Sequence, residues 1–434
     1  MAILLGGIMA ASLAAPCSVS AAEKTTLTFW HAMGGTNGEV LQQIVDDFNA
    51  SQDEIEIKAE YQGTYDDTIT KLKAAMQSDS GLPDVCQMYD VGTKFMYDSG
   101  AVIPVEDKFE STGYDKSSVM EVISSYYTVD GKQYAMPFNV STPMLYYNKD
   151  VFEAAGLDPE TPPTTYDEVL EDAKKIVESG AAPVGYSQAI YGWFFEQQLA
   201  GLGVTYGNND NGRKEAVTAV DFDSNGGGLK VFDMWKKLYD SGYFEDYGTT
   251  TADTQTAFFS GQVGMIIEST AILKNAVDSS PFEVGTGYLP RIEQNDEGGV
   301  IIGGGSLWLT DTGNEANEDA AWKFIEYITT PDVQAKWSMG TGYFAINEKA
   351  YETEDMKAYL KENPNFETAI NQLKDSPVNC NTAGVLSGVQ TEARLTFNEI
   401  MPQVYDGKLT TQDAVDQLAA SVNKAIENYN ESIK

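Results

Sequence analysis

Residues 26–89 switch repeatedly between the two periods that apolar residues can follow, and this alternation constrains the fold more than any other feature. Residues 26–30 and 55–61 read as strands, the second alternating apolar and polar residues, and 85–89 is a third strand led in by Pro83. Between them, 39–50 places Val40, Leu41, Ile44, Val45 and Phe48 on one helical face, and 67–78 does the same with Ile69, Leu72, Ala75 and Met76. Strands in this order imply a parallel sheet covered by helices, because parallel neighbours are joined by a crossover. Such sheets bind ligands at the carboxyl ends of their strands. Trp30-His31, Gly63-Thr64-Tyr65 and Asp90-Val91-Gly92 all follow strands, so the spacing predicts that they share one rim.

The rest of the chain is less regular. Residues 134–138 and 144–147 read as two strands around a polar, proline-marked bend, a crossing between units. Thr165 with Glu168 forms a capping-box pattern and opens a helix through Val177. Further helices are predicted over 228–240, 319–329 (closed by Pro331) and 411 to about 428, the last burying Val415, Leu418, Ala419, Val422 and Ile426. A short apolar strand covers 263–267, and 298–308 is a glycine-rich return. Asn208 through Gly212 and Ser224 through Gly228 read as surface turns.

A chain of 434 residues exceeds what one core organises, so at least two domains are expected. Residues 1–21 read as a signal peptide: 3–15 are uncharged and mostly apolar, and Val19-Ser20-Ala21 is a small-x-small cleavage site. The usual basic leader region is missing, which points to a start upstream. Pro16 before Cys17 disfavours a lipid anchor. Lys and Arg number 28 against 65 Asp and Glu, a net charge of −37. That excludes nucleic acid and anionic membranes as partners and, without heptads, favours a soluble monomer. It also makes each arginine a sharper candidate for any anionic ligand. One histidine and no Cys/His cluster argue against a metal, and Asp221-Phe222-Asp223 lacks the full calcium loop. No cofactor is expected. Cys86 and Cys380 are expected as two buried thiols rather than a bridge.

Aromatic residues recur beside glycines and hydroxyls: Phe29-Trp30-His31, Tyr65, Tyr89-Asp90, Pro137 through Pro143, Tyr191-Gly192-Trp193, Gly303-Gly304 and Thr341-Gly342-Tyr343. That mixture suits a cleft that stacks and hydrogen-bonds a small polar molecule. Tyr166 and Trp193 are candidate walls, and His31, with no acid–base partner in view, packs near the ligand. No catalytic set accompanies them; a glycosidase needs two facing carboxylates, and none carries a motif. A neutral sugar remains an alternative ligand, since sugar faces stack on aromatics and hydroxyls seek carboxylates.

These segments, with Tyr61-Gln62-Gly63-Thr64-Tyr65, Leu145-Tyr146-Tyr147-Asn148-Lys149-Asp150 and Ala155-Gly156-Leu157-Asp158-Pro159-Glu160, resemble family 1 extracellular solute-binding proteins of ABC importers. The likeness runs from about 25 to 430 and is strongest to the glycerol-phosphate branch. It implies a type II periplasmic-binding-protein-like α/β fold of two lobes with a cleft and hinge. The lobes would comprise 22–138 plus about 306–345, and about 142–304 plus about 346–434. It implies a periplasmic receptor that is not an enzyme, partnered by ABC permease transmembrane subunits. The implied ligand is sn-glycerol-3-phosphate or a related glycerophosphodiester. The implied contacts fall on Tyr65, Asp90, Ser141, Ser269 or Thr270, Gly304, Tyr343 and Arg394, the last as a fork on phosphate. Asp90 stands where the branch has glutamate, and Glu268-Ser269-Thr270-Ala271 departs from the branch's serine-rich version, with Glu268 adding an anion.

Overall fold

The structure is a computed structural model that describes residues 24–78 and 81–433. The predicted signal peptide lies outside the described residues. β1 (Thr25–His31) is flanked by parallel strands β2 (Ile55–Tyr61) and β3 (Val85–Tyr89), with α1 (Gly35–Ser51) and α2 (Tyr65–Met76) as the crossovers. Leu27 and Phe29 are fully buried, as are Leu41 and Leu72 on the inner faces of the helices.

Three later strands complete this first sheet. β4 (Val102–Ile103) is its edge, and β10 (Gly303–Thr310) runs antiparallel between β3 and β4. β5 (Met136–Ser141) also pairs with β10, with a register shift at Gly305/Ser306. Thr142 then carries the chain into β6 (Pro143–Asn148) of a second sheet, ordered β9-β6-β8-β7, with β7 at Val184–Ser187, β8 at Val263–Ser269 and β9 at Val284–Gly287. Consecutive strands β5 and β6, fully buried throughout, therefore lie in different sheets, which makes residue 142 a crossing between lobes. The chain returns before Gly303 and still pairs with the first lobe at the Val140–Phe344 and Val119–Asn347 bridges.

The second sheet has a core on each face. Tyr146 and Ile266 point into the core that continues from the first lobe. Leu145, Tyr147, Met265 and Ile267 point into one built with α3 (Tyr166–Ser179), α4 (Gly192–Gly201), α5 (Gly227–Asp240), α9 (Gln390–Tyr405) and α10 (Thr411–Ser432). The alternation along β6 and β8 is the period of two that a strand imposes. Thr165 caps α3 through the predicted box with Glu168.

Some expectations are corrected. α6 (Glu315–Ile328) starts earlier than predicted, and Pro331 opens α7 (Pro331–Thr341) as well as ending what precedes it. Proline fits a first helical position because the missing N–H has no partner there anyway. Asn208 through Gly212 is not a surface turn. Asn209, Asp210 and Asn211 have φ of 56°, 55° and 58°, and Gly212 continues at 76°, one left-handed turn. Asn211 is buried in it: its Oδ1 accepts the amides of Tyr206 and Gly207, and its Nδ2 donates to the Cys380 carbonyl. Asn and Asp tolerate this region by bonding locally. Cys86 is a buried free thiol, whereas Cys380 is half-buried and also free.

Candidate functional site

A cavity of about 390 Å³ opens between the lobes at the carboxyl rim of the first sheet, lined by eight of the nine predicted contact residues. Larger cavities of about 580 and 900 Å³ lie elsewhere, but neither holds any of those nine.

The first lobe positions its aromatics by capping and by buried amides. Thr64 caps α2 in a reciprocal box with Asp67, which fixes Tyr65 as the first helical residue. The Tyr65 ring stacks on Tyr89, 5.0 Å between centroids and 7° from parallel. Asn139 Nδ2 donates to the Tyr65 hydroxyl at 2.6 Å, and Gln87 Nε2 donates to Asn139 Oδ1 at 2.6 Å. Tyr343 stacks on Trp337 at 5.7 Å. Burial holds both the Tyr65 and Tyr343 phenols above their ordinary range, so they remain hydrogen-bond donors at neutral pH.

Gly303 and Gly304 begin β10, with Ser141 opposite Gly303. Gly304 has φ 93°, and a Cβ there would collide with the Asn139 carbonyl. Only glycine allows that approach, which leaves the strand end open to the cavity. The Trp193 indole lies over Gly303, and its Nε1 is buried without a hydrogen-bond partner.

In the second lobe, Gly192 abuts the Arg394 backbone so closely that a Cβ would clash. The start of α4 is thereby pressed against α9, bringing Glu196 to Arg394. Glu196 grips one edge of the guanidinium, accepting from Nε and Nη2 at 2.7 Å each. Asp90, from the opposite lobe, holds the other edge, accepting from Nη2 at 2.8 Å and lying 3.5 Å from Nη1. Burial would pull the Arg394 pKa down; the carboxylates of Asp90 and Glu196 outweigh it and hold it well above the ordinary value. Tyr89 adds a second link across the cleft, its hydroxyl 2.8 Å from that of Thr391.

Ser269 lines the cavity, while its Oγ accepts the Ala271 amide at 3.1 Å. Thr270 is fully buried behind that wall: its hydroxyl accepts the Thr142 amide at 3.1 Å and its own amide donates to the Thr142 carbonyl at 2.8 Å. It stitches the crossing between lobes rather than facing the cavity. Tyr166 lies in the core of the second lobe, its hydroxyl accepting from Gln198. Trp30 and His31 do not border the cavity. Trp30 donates to Glu60, and the buried His31 accepts the Met33 amide on Nδ1. Burial lowers the His31 pKa to about 4, so the ring is neutral.

Sequence reasoning missed Glu196 and Gln255 as network and wall groups. Glu196 had a signal: it sits in Trp193-Phe194-Phe195-Glu196-Gln197-Gln198-Leu199, all buried. A carboxylate in so apolar a helix needs a buried cation. The assembled site offers aromatic faces, hydroxyls, one guanidinium and three buried carboxylates. Among the described residues, no group of His, Cys, Asp and Glu could hold a metal ion.

The bacterial extracellular solute-binding protein family matches over residues 43–368. The sn-glycerol-3-phosphate-binding periplasmic protein of Escherichia coli strain K12 is 31% identical over 417 residues, covering 94% of this chain and 94% of the relative. Among solved structures, the cyclic alpha-maltosyl-1,6-maltose binding protein from Arthrobacter globiformis superposes with a TM-score of 0.77 at 26% identity, covering 94% of this chain and 100% of the other. A Mycobacterium tuberculosis relative, UgpB in complex with glycerophosphocholine, gives 0.80 at 20% identity, with 94% and 100% covered. The fold is accordingly that of a periplasmic-binding protein with two α/β lobes, a cleft and a hinge.

Proposed function

This chain belongs to the bacterial extracellular solute-binding proteins, and we propose that the solute it delivers is a glycerophosphoryl compound, a diester in preference to the monoester. The family fixes the coarser role: the chain is the extracytoplasmic substrate-binding component of an ABC importer, works with permease subunits and is not an enzyme. The observation that carries the finer reading is Arg394, the only cation among the described residues lining a cavity whose other polar groups are phenols, hydroxyls, an amide and carboxylates. A planar fork of donors suits phosphoryl oxygens. The 31% identical relative, named for sn-glycerol-3-phosphate, supports the same chemistry.

The preference for a diester follows from charge. Asp90 and Glu196 already occupy both edges of Arg394, one negative charge in excess, and Glu268 stands on the same wall. A phosphate must displace Asp90 to reach the Nη1–Nη2 edge. A singly charged diester meets less repulsion there than a doubly charged monoester. Calorimetry of the purified protein with glycerophosphocholine, sn-glycerol-3-phosphate and maltose tests the reading. Tightest binding to the diester is expected; binding to maltose alone would sink it. The same neutralised arginine, with the Tyr65–Tyr89 stack, favours the second reading, a receptor for a neutral sugar. On either reading the lobes close about Thr142 and the crossing before Gly303, and small-angle scattering should record a smaller radius of gyration on saturation.

A further inference from the structure

Glu268 is the last side chain of β8 but one, on the cavity wall and 4% exposed. Gln255 Nε2 donates to its Oε2 at 2.8 Å, and the Ser269 amide donates to its Oε1 at 2.7 Å. Unlike Asp90 and Glu196, which share Arg394, it has no ion pair with any lysine, arginine or histidine among the described residues. Two neutral donors compensate a buried carboxylate only in part. Burial accordingly pushes its carboxyl up to about 7.

The groups that face it do not supply the missing charge. Its strand partner is Met144, and Tyr146 of β6 and Tyr191 before α4 are phenols that feel its charge. Arg394 lines the same cavity but is spent on Asp90 and Glu196. An anion entering this space makes an ionised Glu268 costlier still.

We propose that Glu268 is a specificity-determining residue that takes up a proton from solvent as the phosphoryl ligand binds, so that capture of an anionic solute is coupled to protonation of the cleft. The inference rests on the phosphoryl reading above. The protonated carboxyl gains a donor that an ester or hydroxyl oxygen of the ligand accepts, while Gln255 and Ser269 keep their bonds to it. The sign of the pH dependence follows. Below neutrality the proton is already present and binding is insensitive to pH. Above about pH 7 each further unit weakens the affinity for the anion by up to about tenfold, the limit for one linked proton.

The test uses glycerophosphoglycerol, a diester whose single negative charge does not titrate near neutrality and is not offset by a cation. Binding heats just above neutral pH, in buffers of different ionisation enthalpy, should report uptake of a large fraction of one proton. Glu268→Gln should abolish that uptake, flatten the dependence of Kd on pH and, at high pH, bind more tightly than the parent. Tighter binding is not what a merely structural role would give. Should Glu268→Gln not fold, Gln255→Leu removes one stabilising donor and should move the onset of weakening to higher pH. Binding without proton exchange, or uptake that persists in Glu268→Gln, overturns the coupling alone. If neither glycerophosphoglycerol nor sn-glycerol-3-phosphate binds while maltose does, the phosphoryl reading falls and the coupling falls with it.

Discussion

Two arginines tie the lobes together, Arg394 buried and Arg213 half-buried, and they do so with different partners. At the cleft, Arg394 is held by the side chains of Asp90 and Glu196. At the other junction, beside the cavity of about 900 Å³, Arg213 donates only to backbone: Nε to Gly384 at 3.1 Å, Nη1 to Tyr126 at 2.8 Å, and Nη2 to Ala383. It also lies over the Tyr126 ring at 5.3 Å. Carbonyl dipoles do not carry a full charge, and burial lowers the Arg213 pKa to about 10, whereas that of Arg394 is raised. Carboxylates can rotate and change partners, but main-chain carbonyls cannot without moving the chain. Arg213, which follows the left-handed turn, is bound to main chain alone; on the proposed phosphoryl reading, Arg394 exchanges a protein anion for a ligand anion.

The sharpest way to break that contrast is Arg394→Ala. We predict a loss of about 2–5 kcal/mol in affinity for glycerophosphocholine by calorimetry. Lysine should restore only part, lacking the fork. Unchanged affinity in the alanine variant would remove Arg394 from the site. Arg213→Ala should act on stability instead, costing about 1–3 kcal/mol in denaturant unfolding, since it removes the donors of the Gly384, Tyr126 and Ala383 carbonyls. Its ligand affinity should stay near the parent's; a loss as large as that of Arg394→Ala would erase the distinction between the two arginines. Asp90→Asn should move affinity the other way, tightening the diester by about 1 kcal/mol as one competing charge leaves the fork. A weaker complex would mean that Asp90 serves mainly as a ligand acceptor. Smallest is Trp193→Phe, which keeps the ring but removes the orphaned indole donor and should cost about 0.5–1.5 kcal/mol of binding. No change would leave Trp193 as a wall only.

What the sequence made legible was local. The alternation in 55–61 and the Thr165–Glu168 box mark their elements because the strand period and capping-box pattern appear within a few residues. Tyr65 and Tyr89 were legible at the rim because a parallel sheet collects the loops after its strands, but that rule also placed Trp30 and His31 there, and they do not border the cavity. The partners of Arg394 were not, since they lie 304 and 198 residues away in sequence and meet only after the lobes assemble. Ser269 and Thr270 could not be told apart either. They are adjacent at the end of a strand, where the chain turns into a short 3₁₀ helix, and only the turn decides which hydroxyl faces the cavity.

β10 is translated long after its neighbours yet sits between β3 and β4, with β5 also paired to it. Until its residues leave the ribosome, β3 has a bare edge, and Trp308 and Leu309 are missing from the core that Phe29 and Val85 begin. The first lobe therefore cannot complete its sheet until residues 303–310 have been made, however early its βαβαβ unit emerges. Pairing so distant in sequence is slow to form. For a protein that works outside the cytoplasm, we predict that this delay favours export of the chain before it folds. A circular permutant in which the β10 segment precedes β1 should fold faster in the cytoplasm and be exported less efficiently, which pulse-chase fractionation would measure.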